Sequence, residues 1–171
     1  MEEQQIKPEE IKIEIIDQHH KVNIFQSYEP ELVGFLREDA LENQKQRLSV
    51  TFLWFYKENL VSYITLLNDK INLEGDLKDF FHEQGVLYQS LPALKVGRLC
   101  VDDRYLRKGL GKLMMSFASE TGKEININKA GCRFITVDAK MKSLPFYLKL
   151  GFKELQHQKG ETIALYLDLL Y

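Results

Sequence analysis

Alternating and periodic apolar positions divide the chain into strands and helices. Residues 11–15 alternate apolar and polar side chains, which predicts a strand. Beyond Pro30, which suits the first turn of a helix, apolar residues recur at helical spacing, namely Leu32, Phe35, Leu36 and Ala40. We therefore predict a helix over residues 30–44.

The next segment is rich in β-branched and aromatic residues. Val50–Tyr56 and Leu60–Leu67 are separated by a polar tripeptide, which predicts two strands joined as a β-hairpin. Residues 73–82 predict a short helix that ends at Gly85, since glycine commonly follows the last turn of a helix.

The C-terminal half alternates strands with helices. The apolar pattern predicts a strand over 94–101, a helix that ends at Thr121–Gly122, a strand over 133–137, a helix over 143–150 and a strand over 162–169. Hairpins followed by strand–helix–strand units indicate a mixed α/β fold, with a mixed sheet and helices on both of its faces. We expect one domain over residues 1–171, with residues 1–10 forming a frayed tail.

Composition restricts the class of protein. The chain has 171 residues, of which 44% are hydrophobic and 28% charged, as is usual for a globular domain. No apolar run reaches the roughly 18 residues of a membrane span, and the acidic N-terminus does not resemble a secretory signal. Cys100 and Cys132 lie in apolar contexts, which favours buried free thiols and a cytoplasmic location.

Residues 106–112 carry the strongest chemical signal. They contain two glycines between an apolar strand and an amphipathic helix, a junction that offers free N–H groups to a phosphate. A nucleotide-hydrolysing P-loop would need a glycine at Leu106 and a hydroxyl at Leu113, so that class is excluded. A dinucleotide-binding loop would need a third glycine where Met114 stands. Residues 95–112 also carry six basic and two acidic side chains, a local charge of +4.

The glycine loop resembles that of the GNAT N-acetyltransferase superfamily, whose pattern is Q/R-x-x-G-x-G/A. Gly109 and Gly111 match the two small positions, whereas Leu106 stands where the family has Gln or Arg. Downstream, the pairs Phe146-Tyr147 and Gly151-Phe152 resemble a second signature of the same family. The resemblance implies an acyl-CoA N-acyltransferase fold, built on a mixed, mostly antiparallel, splayed sheet with helices on both faces.

The resemblance also implies the site. Acetyl-CoA would be the co-substrate, and Tyr147 would be the catalytic acid that protonates the departing thiolate. Ser143 would hydrogen-bond the CoA arm; the alternative is that Ser143 only caps the N-terminus of the predicted helix. The remaining positions would bind the CoA arm and the pyrophosphate through the backbone, helped by basic side chains: Leu99, Cys100, Val101, Leu106, Arg107, Lys108, Gly109, Leu110, Gly111 and Lys112.

The sequence does not single out a general base. Asp102, Asp103, Asp138 and Glu58 are candidates, but each also suits a turn or a helix cap. A nucleophilic Cys100 would need a partnered histidine, and no histidine lies near it in sequence, so we expect direct transfer. Histidine and cysteine spacing predicts no metal site.

Residues 94–102 resemble most closely the corresponding stretch of the GNAT toxins of toxin–antitoxin pairs, which acetylate the amino group of aminoacyl-tRNA. The expected function is transfer of acetyl from acetyl-CoA to a primary amine of a small molecule, a protein or an aminoacyl-tRNA. Toxin activity on aminoacyl-tRNA and an inactive CoA-binding module are the alternatives. No membrane partner is expected, and a homodimer is left open.

Overall fold

The computed structural model describes residues 4–171, except for the side chains of residues 156–159. Residues 1–3 of the predicted tail lie outside this range. Seven strands form one sheet in the order β1-β2-β3-β4-β5-β7-β6. Their bounds are Ile11–Ile15 (β1), Val50–Tyr56 (β2), Asn59–Asn72 (β3), Ser90–Val101 (β4), Phe134–Lys140 (β5), Lys153–Lys159 (β6) and Thr162–Asp168 (β7).

Five α-helices accompany the sheet within the described range: Pro30–Gly34 (α1), Ala40–Lys45 (α2), Gly75–Glu83 (α3), Leu110–Asn128 (α4) and Leu144–Lys149 (α5). The chain divides into two compact units, one of residues 1–67 and 96–117, the other of residues 68–95 and 118–171. The predicted mixed α/β class is therefore confirmed, and the strand pairs described below are antiparallel.

The first unit contains the predicted hairpin. Strands β2 and β3 pair antiparallel from Val50 opposite Leu66 to Tyr56 opposite Asn59, and β1 pairs antiparallel with the outer side of β2. The turn between β2 and β3 places Lys57 and Glu58 at positive φ, as a tight hairpin turn requires. The predicted hairpin is therefore present, with one shift in register between Trp54 and Phe55.

The predicted helix over residues 30–44 is helical throughout but irregular. A π-helical turn, Phe35–Asp39, separates α1 from α2. Phe35, Leu36 and Ala40 are buried on its inner side and pack with Tyr63 of β3. Such π turns are frequent at functional sites, because the extra residue re-aims side chains that a regular helix would direct elsewhere.

The second unit contains α3, β5 and the C-terminal hairpin. Strand β7 pairs antiparallel with both β5 and β6. In the core of this second unit, the rings of Phe81 and Phe134 meet edge to face at a centroid distance of 5.9 Å. Gly85 terminates the segment after α3 at a φ of +78°, in agreement with the predicted helix end.

The predicted helix end at Gly122 is wrong, because α4 continues to Asn128. A Cβ atom on Gly122 would lie 2.7 Å from Leu169 Cδ1 and 3.0 Å from Ile135 Cδ1. The glycine therefore permits close packing of the helix on neighbouring side chains, and it does not terminate the helix.

Candidate active site

The loop between β4 and α4 has the geometry of an anion site. A short 3₁₀ turn, Asp103–Tyr105, follows β4, and α4 starts at Leu110. The Leu113 N–H donates to the Gly109 carbonyl as the first bond of the helix, so the N–H groups of residues 110–112 have no acceptor within it. Gly109 itself has a φ of +82°, which a glycine adopts without strain.

The residues before Gly109 also have an uncommon backbone. Arg107 has a φ of +61°, a conformation that few residues other than glycine adopt. Gln5 Nε2 donates to the Arg107 carbonyl at 3.0 Å, and the Ile6 N–H donates to the Lys108 carbonyl at 3.0 Å. Because two loop carbonyls are bound in this way, the N-terminal segment supports the loop conformation.

Two of the six cations counted in residues 95–112 are bound in ion pairs. Arg104 is paired with Asp102, and Lys95 Nζ lies 2.6 Å from Asp138 Oδ2. Three cations of the loop, Arg107, Lys108 and Lys112, form no ion pair with any residue that the structure describes. These three and the open N–H groups together suit a diphosphate.

Strand β4 brings Cys100 into the core of the first unit. Its side chain is 3% exposed and packs in one cluster with Phe25, Phe35 and Tyr63. Burial raises the pKa of the Cys100 thiol to about 11, although a hydrogen bond with Ser27 opposes this effect. At neutral pH the residue is a thiol, so it is unsuited to carry an acyl group as a thiolate nucleophile.

A cavity of about 380 Å³ lies beside this cluster. It is lined by Phe25, Gln26, Ser27, Pro30, Val33, Gly34, Arg37 and Glu38, so both the π turn and the segment before α1 contribute to it. Phe25 belongs to this lining and also packs in one core cluster with Cys100, so the cavity adjoins the strand predicted to bind the CoA arm.

In the second unit, α5 presents Tyr147. The side chain is 7% exposed and lies between Phe146 and Phe152, with ring centroids 5.0 and 5.5 Å away. Burial raises the pKa of the Tyr147 phenol to about 12, which keeps it protonated at neutral pH. Ser143 precedes α5 without capping it through its side chain, so the cap interpretation of its hydroxyl is not supported.

Two of the candidate bases are already bound to cations. Asp102 is fully buried; burial alone would raise its pKa, but hydrogen bonds from Arg104 and from the Gln26 N–H hold the pKa below its usual value. Asp138 pairs with Lys95. These contacts give both carboxylates structural roles. Within the described part of the chain, no group of side chains suits a metal ion, and no helix could cross a membrane.

Comparison with known families decides the assignment. The family model of the acetyltransferase (GNAT) domain matches residues 34–164, a range that includes the glycine loop and Tyr147. The chain belongs to the GNAT acetyltransferase family. The predicted enzyme class, an acetyltransferase, is thereby confirmed. A search of curated protein sequences finds no significant match.

Solved GNAT structures resemble the chain over nearly its whole length. AtaT complexed with acetyl-methionyl-tRNAfMet has a TM-score of 0.80 at 20% identity, covering 92% of this chain and 94% of that one. A tyrosine-to-phenylalanine mutant of KacT has a TM-score of 0.79 at 20% identity, covering 94% and 96%. AtaTR bound with AcCoA has a TM-score of 0.78 at 20% identity, covering 95% of each chain.

These similarities establish a shared fold. AtaT is named a toxin in its complex with the C-terminus of the antitoxin AtaR, a description that belongs to that protein. The Asp102–Gln26 hydrogen bond and the role of Gln5 are not apparent from the sequence, since each joins segments far apart in the chain.

Proposed function

We propose that this acetyltransferase moves the acetyl group of acetyl-CoA directly onto the α-amino group of an aminoacyl-tRNA. The observation that carries the binding of acetyl-CoA is the loop of residues 107–112. Its N–H groups at residues 110–112 have no acceptor within the helix, and its three cations form no ion pair with the described residues. The acceptor half is supported by the similarity in fold to AtaT, which was solved with acetyl-methionyl-tRNAfMet. In this proposal, a cognate antitoxin is a further partner, as AtaR is for AtaT.

The residues present fit acetyl-CoA. The diphosphate would bind the N–H groups of Gly109–Lys112, where the start of a 19-residue helix favours negative charge. The cationic side chains of Arg107, Lys108 and Lys112 would offset the phosphate charge. The amide-rich CoA arm would bind the backbone of Leu99–Val101 as an added strand does, while the side chain of Cys100 remains in the core.

The transfer requires a neutral, unprotonated amine and a stabilised leaving group. The amine nitrogen attacks the thioester carbonyl carbon, the new C–N bond forms, and the C–S bond breaks with its electron pair leaving on sulfur. The proton of the Tyr147 hydroxyl moves toward this sulfur as the bond breaks, and the tyrosine regains a proton from solvent. The nitrogen releases its extra proton to water.

An α-amino group suits a site with few available bases. Its pKa is about 7.7 to 8.0, whereas that of a lysine ammonium is about 10.4, so a much larger fraction of an α-amine is neutral at pH 7. Asp102, whose pKa is lowered by its hydrogen bonds, is a poor proton acceptor, and Asp138 is bound to Lys95. The proposal therefore assigns deprotonation of the acceptor to solvent.

The test is transfer of labelled acetyl from acetyl-CoA to a set of aminoacyl-tRNAs, with a peptide N-terminus and a lysine side chain as competing acceptors. We expect aminoacyl-tRNA to be acetylated fastest, and expression of the wild-type chain to arrest growth. Faster acetylation of the peptide or of lysine would refute the assignment of the acceptor.

The catalytic role of Tyr147 has a matched control. We expect Tyr147→Phe to lower kcat by about 100- to 10,000-fold with little change in the affinity for acetyl-CoA. Tyr166→Phe removes another phenol of the same unit, whose ring contacts Phe134, and we expect it to retain activity. Equal losses in the two variants would show that the effect is structural.

A further inference from the structure

A buried carboxylate lies at the end of β4. Asp102 has no exposed surface, and its two oxygens accept four hydrogen bonds. Oδ2 accepts from the Gln26 N–H and Arg104 Nη2, at 2.9 and 2.8 Å. Oδ1 accepts from the Arg104 N–H and Nε, at 3.0 and 2.8 Å. The charge of Asp102 is therefore fully compensated within the protein.

These bonds bind a second segment to the strand. The Asp103 N–H donates to the Gln26 carbonyl at 3.0 Å, and Arg104 Nη2 reaches the Ile24 carbonyl at 3.3 Å. We call Asp102, Arg104 and the backbone of residues 24–26 the Asp102 clasp. Arg37 holds the same segment from the π turn, since its Nη2 donates to the Phe25 carbonyl at 2.9 Å.

The segment held by the clasp forms one wall of the cavity. Phe25, Gln26 and Ser27 line it, and Phe25 packs in one core cluster with Cys100, which lies two residues before Asp102. The reacting amine must approach within about 3.5 Å of the thioester carbon, so small displacements of the acceptor relative to the donor strand are costly. The clasp joins the two structures whose spacing controls this distance.

We propose that Asp102 is a positioning residue that holds the acceptor wall, residues 24–27, against the strand that binds the acetyl donor. This inference rests on the proposed function and adds to it that the acceptor amine enters the cavity. Asp102 itself touches neither substrate. Its function is to keep residues 24–27 in place through Arg104 and the Gln26 N–H.

The substitution Asp102→Asn tests this role with almost no change in shape. All four groups that hydrogen-bond Asp102 are donors. The amide NH₂ of asparagine would therefore face at least one of these donors, and that hydrogen bond would be lost. We expect KM for the amine acceptor to rise about tenfold or more, the scale of one lost charge-assisted hydrogen bond. The Kd for acetyl-CoA should change by less than about threefold, since the glycine loop is intact.

Asp168→Asn is the matched control. Asp168 accepts two bonds from the Arg133 guanidinium, both at 2.8 Å, so the same substitution breaks the same kind of ion pair away from the cavity lining. We expect this variant to lower the melting temperature without raising the acceptor KM. A similar rise in KM in both variants, or equal effects of Asp102→Asn on acceptor and donor, would overturn the proposal.

Hydrogen exchange separates this inference from the proposed function, because it needs no acceptor. We expect Asp102→Asn to accelerate exchange of amides in residues 24–27 relative to wild type, and unchanged exchange would overturn the clasp. If Asp102→Asn does not fold, Arg104→Gln replaces it, since this side chain is half exposed. The same rise in acceptor KM and faster exchange are expected, and the absence of both would refute the proposal. Failure of the wild-type chain to acetylate any aminoacyl-tRNA would instead refute the proposed function.

Discussion

Two glycines with nearly the same backbone allow the phosphate role of the loop to be separated from backbone strain. Gly109 has a φ of +82° and Gly85 a φ of +78°. Alanine in this region costs about 1–2 kcal/mol relative to glycine. For a chain of this size the cost corresponds to a drop in melting temperature of roughly 2–8 °C. We therefore expect backbone strain to destabilise Gly109→Ala and Gly85→Ala to a similar extent, with an additional cost in Gly109→Ala for displacing Gln5.

Their effects on the donor should differ. A Cβ on Gly109 would lie 2.5 Å from Gln5 Oε1, so the loop or Gln5 has to shift, whereas nothing lies within 4 Å of a Cβ on Gly85. If the loop in its bound conformation cannot release a strain of about 1.4 kcal/mol, the Kd for acetyl-CoA rises tenfold. Calorimetric titration of acetyl-CoA against both variants measures the difference. Wild-type affinity in Gly109→Ala, or an equal loss in Gly85→Ala, would refute the assignment of the loop.

Three further substitutions test separate parts of the argument. Leu106→Ala should weaken the binding of acetyl-CoA far less than Gly109→Ala in the same titration, because the proposed site holds the phosphates by backbone N–H groups and not by the half-exposed Leu106 side chain. Cys100→Ala should retain acetyl transfer, and a loss of transfer by more than about 100-fold would contradict direct transfer. In the wild-type chain the Cys100 thiol, with a pKa of about 11, should resist a disulfide reagent at pH 8. Gly122→Ala should lower the melting temperature even though alanine gains about 1 kcal/mol in helix propensity, because overpacking against Leu169 and Ile135 costs about 1–3 kcal/mol; a higher melting temperature would contradict this.

Features with a local signal were predictable from the sequence. The hairpin of β2 and β3 follows from two β-rich runs and a short polar turn, and the end of α3 follows from Gly85. The glycine loop is equally local, because the approach of a backbone to an anion depends on a few consecutive residues. Tyr147 is predicted as the catalytic acid from the pairs Phe146-Tyr147 and Gly151-Phe152, and the structure shows that its ring packs against Phe146 and Phe152.

Features that depend on distant contacts were not predictable. Gly122 has the local signal of a helix end. The structure instead requires a glycine there because the side chain of Leu169, which follows β5 in the sequence, packs against the helix at this position. The π turn interrupts a regular apolar pattern that by itself predicts a continuous helix. The Asp102 clasp joins residues 76 positions apart, and nothing in the sequence near Asp102 distinguishes it from a turn residue.

The clasp and the ion pair of Lys95 also change the interpretation of charge. Two of the six cations in residues 95–112 are bound to carboxylates, and Arg98 lies over the ring of Phe35 at 4.9 Å. The three loop cations that remain are the ones assigned to acetyl-CoA. Phosphates of an RNA acceptor would compete with the donor for these cations, because both interactions are electrostatic and screened by salt. A measurement of tRNA affinity on this chain therefore has a defined meaning only at a stated salt and acetyl-CoA concentration.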